Sequence, residues 1–129
     1  GELLLVEDND AVAAATAELL RTLGCTVHRV AGATQALDLL EHEGGGSAFD
    51  VVLSDIEMPG RMDGIALAAR LRARWPARPV LLMTGYAARL EQAVRAQFDV
   101  LPKPVAPAQL AAAIAQALRR RGAAAPSAG

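Results

Sequence analysis

Residues 50–60 read DVVLSDIEMPG, an apolar run followed by two carboxylates and a Pro-Gly turn. The run from Val51 to Leu53 is apolar without alternation, which is typical of a strand that is buried on both faces of a sheet. Asp55 follows at the end of this strand, and Glu57 comes two residues later. A carboxylate at the end of a buried strand raises the question of which group binds against it.

Along the rest of the chain, segments with the pattern of strands alternate with segments that have the pattern of helices. The predicted strands are residues 3–6, 26–30, 49–54, 79–83 and 99–101. Five helices are also predicted. The first begins after Asn9 or Asp10, the second contains Ala36 and Leu40, and the third begins after Asp63. The fourth covers residues 87–96, and the fifth begins near Pro107. This alternation predicts an α/β fold, a parallel sheet with helices on both faces.

In folds of this kind, ligands bind beyond the carboxyl ends of the strands. The predicted strand ends carry three acids, a hydroxyl group and an ammonium group, which belong to Glu7, Asp8, Asp55, Thr84 and Lys103. Three neighbouring carboxylates repel one another unless a cation intervenes. Oxygen ligands without His or Cys favour a hard ion, so Mg²⁺, or Mn²⁺ in its place, is the expected cofactor. Such a set is typical of phosphoryl transfer, and a carboxylate is one candidate acceptor, which would give an acyl phosphate.

Each of these side chains has a simpler interpretation when it is taken alone. Asp8 would cap a helix, Thr84 would be a turn residue, and Lys103 would be a solvated loop charge. Their shared position at successive strand ends favours a common site. Composition adds a second argument, because Lys103 is the only lysine among 13 basic residues. A compact ammonium group is suited to contacting a phosphate as a point charge.

Four segments carry this set of residues, namely VEDND at 6–10, LSDIEMPGRMDG at 53–64, LMTGY at 82–86 and LPKPV at 101–105. In this order they resemble the receiver domain of two-component response regulators and hybrid histidine kinases, over roughly residues 2–120. The resemblance implies a flavodoxin-like (βα)5 fold, with a doubly wound five-stranded parallel sheet in the order 2-1-3-4-5. It also implies that Asp55 accepts a phosphoryl group from a phosphohistidine, while Thr84 and Lys103 contact the phosphoryl oxygens.

The same resemblance implies a metal site and a class of partner. Mg²⁺ would be held by the carboxylates of Asp8 and Asp55 and by the backbone carbonyl of Glu57. Glu7 would act through a coordinated water. The domain would work as a conformational switch, and its partner would be a histidine kinase or a histidine phosphotransfer domain.

The chain departs from the family's pattern at two places. Many receivers have an aromatic residue three positions before the lysine, where this chain has Val100. The span from Thr84 to Lys103 is also short, which predicts a reduced fourth helix. Both features affect the usual signalling face, so we expect the isolated domain to be a monomer that stays monomeric on phosphorylation.

The segments GYAARLEQAV and FDVLPKPV more closely resemble receivers at the C-terminus of hybrid histidine kinases. The start at Gly1 suggests a domain cut from a longer protein, with a receiver at residues 1–121 and a disordered tail at 122–129. Enzymatic activity beyond the domain's own phosphorylation and dephosphorylation is left open. The alternatives are a stand-alone or DNA-binding response regulator, a pseudo-receiver, and a haloacid-dehalogenase-type phosphatase. Glu57 disfavours the last, since those enzymes place a second Asp there.

Composition argues against several other classes of partner. A net charge of −1 leaves no broad positive surface for nucleic acid or an anionic membrane. The basic run 119–121 fits the C-terminus of a helix. No run of about 18 apolar residues occurs, so we expect a cytoplasmic domain, whose parent chain could be membrane-anchored. Cys25 is the single cysteine and is predicted to be a buried apolar residue. The glycine run 44–46 is predicted to be a flexible connector.

Overall fold

The structure, a computed structural model, describes residues 1–42 and 49–124. Within these ranges, five strands alternate with five helices. The strands are β1 (Glu2–Val6), β2 (Thr26–Val30), β3 (Val51–Asp55), β4 (Val80–Thr84) and β5 (Asp99–Pro102). The helices are α1 (Asp10–Thr22), α2 (Ala33–His42), α3 (Gly64–Arg74), α4 (Ala87–Arg95) and α5 (Pro107–Ala124). No helix in these ranges combines the length and apolar character needed to cross a lipid bilayer.

The strands form one parallel sheet in the order β2-β1-β3-β4-β5. This confirms the predicted doubly wound, flavodoxin-like fold. The chain leaves β1 towards β2 on one side and later returns through β3 on the other side. The loops that follow β1 and β3 therefore diverge, and a ligand crevice opens between them at the carboxyl edge.

The two faces of the sheet bury separate apolar clusters. Leu3, Leu5 and Leu53 point to the face that α1 and α5 cover. Leu4 and Val52 point to the opposite face, which packs against α2 and α3. Because both faces are covered, β3 is buried at every position, which explains its continuous apolar run. The mixed sequence of β2 matches its position at the sheet edge, where it is partly exposed.

The ends of several elements differ from the predicted ones. β3 begins at Val51, not at Phe49, and it includes Asp55, which pairs with Met83 of β4. Asp55, the predicted phosphoryl acceptor, is therefore the last residue of β3, whereas the sequence placed it one residue beyond the strand. α5 continues to Ala124, three residues past the predicted boundary at 121. Residues 125–129 of the predicted tail and the predicted connector at 44–46 lie outside the described residues.

Candidate functional site

Three carboxylates meet beyond the carboxyl ends of β1 and β3. One oxygen each of Glu7, Asp8 and Asp55 lies within 4.8 Å of the others. Glu7 and Asp55 are buried, whereas Asp8 is exposed. In addition, Asp55 Oδ1 is buried without a hydrogen-bond partner among the described residues. An oxygen-only set with an unsatisfied buried carboxylate atom fits a hard divalent cation such as Mg²⁺.

Lys103 follows β5 and reaches into this acidic group. Its Nζ lies 3.0 Å from Asp55 Oδ2 and 3.2 Å from Glu7 Oε1. The backbone amide of Lys103 donates to the Thr84 carbonyl at 2.8 Å, which continues the pairing of β4 with β5. The structure therefore brings together four of the predicted site residues, namely Glu7, Asp8, Asp55 and Lys103.

Burial and neighbouring charges shift the pKa values of Asp55, Glu7 and Lys103. Burial raises the pKa of Asp55, and the nearby Lys103 only partly opposes this effect. Burial also raises the pKa of Glu7, with a further contribution from the charge of Asp55. For Lys103, burial alone would lower the pKa, but Asp55 and Glu7 together outweigh burial and raise it. The lysine therefore stays charged, while the two buried carboxyls lack sufficient positive charge around them.

Thr84 ends β4 and has a different partner. Its hydroxyl is buried, donates to Glu57 Oε2 at 2.8 Å, and accepts from the Tyr86 amide at 3.1 Å. The structure thus places Thr84 at the expected edge of the sheet but pairs its hydroxyl with Glu57. Its contact with a phosphoryl group stays a prediction, as does the metal contact of the Glu57 carbonyl.

Arg89 on α4 is a site neighbour that the sequence analysis missed. Its Nε lies 3.9 Å from Glu57 Oε2, and its Nη2 forms an ion pair with Asp63. Asp63 caps α3 by accepting from the Ala66 amide at 2.8 Å. Arg89 therefore links α4 to the loop that follows Asp55. Its position five residues after Thr84, on the first turns of the helix, was the only available signal.

Gly64 allows α3 to begin directly against the end of β3. A Cβ atom at this position would lie 2.2 Å from the Asp55 carbonyl oxygen and 2.7 Å from the Ile56 Cα. The Gly64 amide donates to the Ile56 carbonyl at 2.8 Å. No residue with a side chain fits here without a shift of the backbone. The first residue of α3 thus helps to set the position of the loop that carries Glu57.

The two departures from the family pattern also have structural counterparts. α4 spans 9 residues and is the shortest of the five helices in the described ranges, consistent with the predicted reduced helix. Val100 is half-buried and packs against the cluster formed by Ile56, Leu82 and Ala93 with other residues. Cys25 is free and buried, as predicted.

An apolar groove opens beside the site. It has a volume of about 500 Å³ and lies between α1 and the segment that joins β5 to α5. Its lining includes Val12, Leu19, Lys103 and Val105. The groove therefore shares Lys103 with the acidic group.

Comparisons with known proteins agree with this geometry. The sequence matches the family described as "Response regulator receiver domain" over residues 3–115. It is 39% identical over 125 residues to the sensor kinase CckA of Brucella abortus, a match that covers 92% of this chain and 13% of that protein. It is 42% identical over 107 residues to the response regulator protein FleR of Pseudomonas aeruginosa, which covers 80% of this chain and 21% of that protein.

A solved structure shows the same fold. The crystal structure of a response regulator receiver domain protein from Clostridium thermocellum is similar with a TM-score of 0.87 at 25% sequence identity. This similarity covers 95% of this chain and 98% of that one. The chain spans nearly the whole of that structure, but only a small part of the two relatives above.

Proposed function

Because this chain belongs to the response regulator receiver domain family and is a receiver domain of a two-component system, we propose that Asp55 accepts a phosphoryl group from a phosphohistidine in a Mg²⁺-dependent reaction. The observation that carries this proposal is the state of the Asp55 carboxylate. One oxygen lies 3.0 Å from Lys103 Nζ, and the other is buried without a hydrogen-bond partner among the described residues. A haloacid-dehalogenase-type phosphatase, one of the alternatives, would belong to a different family, so the family match argues against it.

In the proposed reaction, a carboxylate oxygen of Asp55 attacks the phosphorus atom. A P–O bond forms, the P–N bond to the histidine breaks, and the imidazole leaves with the bonding electrons. Lys103 neutralises charge on the phosphoryl oxygens, and the Thr84 hydroxyl donates to one of them. The product is an acyl phosphate on Asp55, whose added charge changes the contacts of the surrounding loops.

The metal ligands would be Asp8, Asp55 and the backbone carbonyl of Glu57, with Glu7 acting through a coordinated water. When it is bound, Mg²⁺ supplies positive charge that allows an anionic donor to approach the carboxylates. One oxygen each of Glu7, Asp8 and Asp55 lies within 4.8 Å of the others, which supports this assignment.

The phosphodonor would be a histidine-bearing helical bundle of a histidine kinase or a histidine phosphotransfer domain. The groove between α1 and the β5–α5 segment supports this choice, because it is largely apolar and Lys103 is one of its lining residues. A helix lying there would present a histidine next to the ammonium group that contacts Asp55. Grooves that accept an amphipathic helix are commonly apolar in this way.

We propose a hybrid sensor histidine kinase as the parent protein, acting in the cytoplasm. The similarity to a sensor kinase over 92% of this chain supports this context, and the free thiol of Cys25 suits a reducing compartment. The similarity to a response regulator over 80% of the chain supports the alternative, a receiver of a stand-alone or DNA-binding regulator. The sequence that surrounds this domain in its parent protein distinguishes the two.

The direct test of the proposed function is phosphorylation with acetyl phosphate, followed by intact-mass measurement. We expect one added phosphoryl group in the presence of Mg²⁺, and none in Asp55→Asn or in excess EDTA. Labelling that persists in the Asn variant would place the acceptor elsewhere. Labelling that proceeds equally in EDTA would remove the metal from the reaction.

A second test separates the donor surface from the chemistry. Val12 and Leu23 are each 37% exposed, but only Val12 lines the groove. We expect Val12→Glu to slow phosphotransfer from a phosphorylated histidine domain while labelling by acetyl phosphate stays unchanged. Leu23→Glu should alter neither reaction. Equal slowing by both substitutions with the protein donor would argue against docking in the groove.

A further inference from the structure

Arg29 on the edge strand β2 contacts the segment that carries the metal ligands. Its Nε and Nη2 both donate to the carbonyl oxygen of Glu7, at 2.9 and 2.7 Å. Its Nη1 donates to Asp10 Oδ1 at 2.9 Å. All three guanidinium nitrogens therefore bind the short stretch from Glu7, just after β1, to Asp10, the first residue of α1. We call the pair of bonds to the Glu7 carbonyl the carbonyl fork.

The carbonyl fork acts on the peptide group that precedes Asp8. A peptide group is planar, so fixing the carbonyl of Glu7 also fixes the plane that ends at the Asp8 Cα. The amide of Glu7 donates to the Val30 carbonyl at 3.1 Å, which holds the preceding peptide as well. On the other side, Asn9 caps α1 by accepting from the Val12 amide at 3.0 Å. Asp8 therefore lies between two fixed points of the backbone.

Asp8 needs this support more than the other two acids do. Glu7 and Asp55 are buried and contact Lys103, so their surroundings restrict the positions of their side chains. Asp8 is exposed, and its orientation depends mainly on the backbone that carries it. Side chains that orient metal ligands from outside commonly change metal affinity when they are replaced.

We propose that Arg29 is a positioning residue for the metal centre, which sets the direction of Asp8 through the carbonyl fork and so determines the affinity for Mg²⁺. This inference rests on the proposed metal site. The competing interpretation is a surface ion pair between Arg29 and Asp10, which would contribute little because the Asp10 side chain is 93% exposed. Two of the three contacts go to a backbone carbonyl, and an ion pair with Asp10 does not require them.

The charge of Arg29 and its geometry predict opposite results, which makes the proposal testable. A cation near the site repels Mg²⁺, so loss of charge alone would tighten metal binding. Loss of the carbonyl fork would weaken it. Arg29→Lys keeps the charge but lacks the planar pair of donors, whereas Arg29→Gln removes the charge and most of the donors. Asp10→Asn removes the ion pair and leaves the carbonyl fork intact.

The experiment is a Mg²⁺ titration of the unphosphorylated domain, followed by amide chemical shifts in NMR spectra. We expect the dissociation constant for Mg²⁺ to rise about tenfold in both Arg29→Lys and Arg29→Gln. Asp10→Asn should stay within about twofold of the wild type. In acetyl phosphate labelling, the Mg²⁺ concentration for half-maximal rate should rise in parallel, while the rate at saturating Mg²⁺ stays unchanged.

Other results would overturn the inference. Unchanged affinity in both Arg29 variants, with native-like spectra, would reduce Arg29 to a surface residue. Tighter binding in Arg29→Gln with no change in Arg29→Lys would leave only the charge effect. A variant that loses its native spectrum shows a role in folding instead of positioning. Failure of the metal site itself is recognised separately, because Asp8→Asn would then bind Mg²⁺ as well as the wild type does.

Discussion

The two groups expected to contact the phosphoryl oxygens have different partners in the structure. Lys103 already contacts Asp55 at 3.0 Å and Glu7 at 3.2 Å. The Thr84 hydroxyl donates to Glu57 Oε2 at 2.8 Å, next to Arg89. A hydroxyl group has one proton to donate, so Thr84 must release Glu57 before it can bind a phosphoryl oxygen. The contact of Lys103 with Asp55 that the proposed reaction needs already exists, whereas the Thr84 hydroxyl must exchange Glu57 for a phosphoryl oxygen.

If Asp55 is phosphorylated as proposed, this difference predicts where the protein changes. On the lysine side, the phosphoryl group would add to contacts that exist. On the threonine side, it would compete with Glu57, whose carboxylate lies near Arg89 of α4. Arg89 also pairs with Asp63, the residue that caps α3. Movement of the Thr84 hydroxyl therefore affects contacts that join α3 and α4.

The largest expected effect comes from the support of the loop on the threonine side. In Gly64→Ala, the new Cβ would lie 2.2 Å from a backbone oxygen of Asp55. We expect the free energy of unfolding to fall by about 3 kcal/mol or more, at the upper end for overpacked sites. Urea denaturation measures it. Gly85→Ala is the matched control, since its nearest contact would be the Lys103 Cβ at 3.9 Å. Equal stability of both variants would contradict this account.

The next effect tests the lysine side. Lys103→Arg keeps the charge but replaces a compact ammonium group, which contacts both Asp55 and Glu7, with a larger planar fork of different donor geometry. A charge-assisted contact contributes about 1.5–3 kcal/mol, so we expect acetyl phosphate labelling to slow tenfold or more. Arg95→Lys serves as the control, because the Arg95 side chain is 80% exposed. A wild-type rate in Lys103→Arg would show that this side needs only a positive charge.

A smaller effect tests the competition on the threonine side. Glu57→Gln weakens the acceptor that holds the Thr84 hydroxyl. We expect beryllofluoride, a phosphoryl analogue, to bind roughly 2- to 10-fold more tightly, as one exchanged hydrogen bond permits. Removal of a negative charge would by itself give a gain in the same direction. The gain must therefore disappear in a Thr84→Val background if it acts through the hydroxyl. A gain that persists there would leave only the charge of Glu57.

The sequence predicted the fold and the acidic group because both depend on local patterns. Short apolar runs and helix caps define the alternation of elements, and parallel strands bring their carboxyl ends to one edge. The predicted start of β3 was less accurate, since Phe49 is buried against α2 and α3 without belonging to the strand. Apolar character reports burial, and it does not distinguish a strand from the segment that leads into it.

Contacts made by long side chains between elements were not predictable in this way. Arg29 and Arg89 reach across to neighbouring segments, and their sequence positions show no period or motif that reports this. The pairing of Thr84 with Glu57 was missed for a related reason. Both residues were assigned by resemblance to roles in the phosphorylated or metal-bound state, whereas in this structure they hydrogen-bond to each other.

The smallest expected change concerns the oligomeric state. It tests whether the exchange of the hydrogen-bond partner of Thr84 affects residues beyond the site. Val100 has no ring that could follow the hydroxyl, and it packs against Ile56, Leu82 and Ala93. A half-buried branched side chain in such a cluster has few alternative positions. The 9-residue α4 also offers little surface for a second copy. We therefore expect the changes to stay within the loops after β3 and β4, and the domain to remain a monomer with Mg²⁺ and beryllofluoride.

Sedimentation velocity with and without beryllofluoride measures this directly, and the expected result is one unchanged monomer peak. Val100→Tyr supplies the missing ring and is the informative variant. If a ring is what connects Thr84 to the face formed by α4, β5 and α5, this variant can gain a dimer that depends on beryllofluoride. A dimer in the wild type, lost on Val94→Glu at the 55% exposed position of α4, would show that the threonine side communicates with that face without an aromatic residue. The partner exchange at Thr84 would then act through Glu57 and Arg89, which link the site to α4.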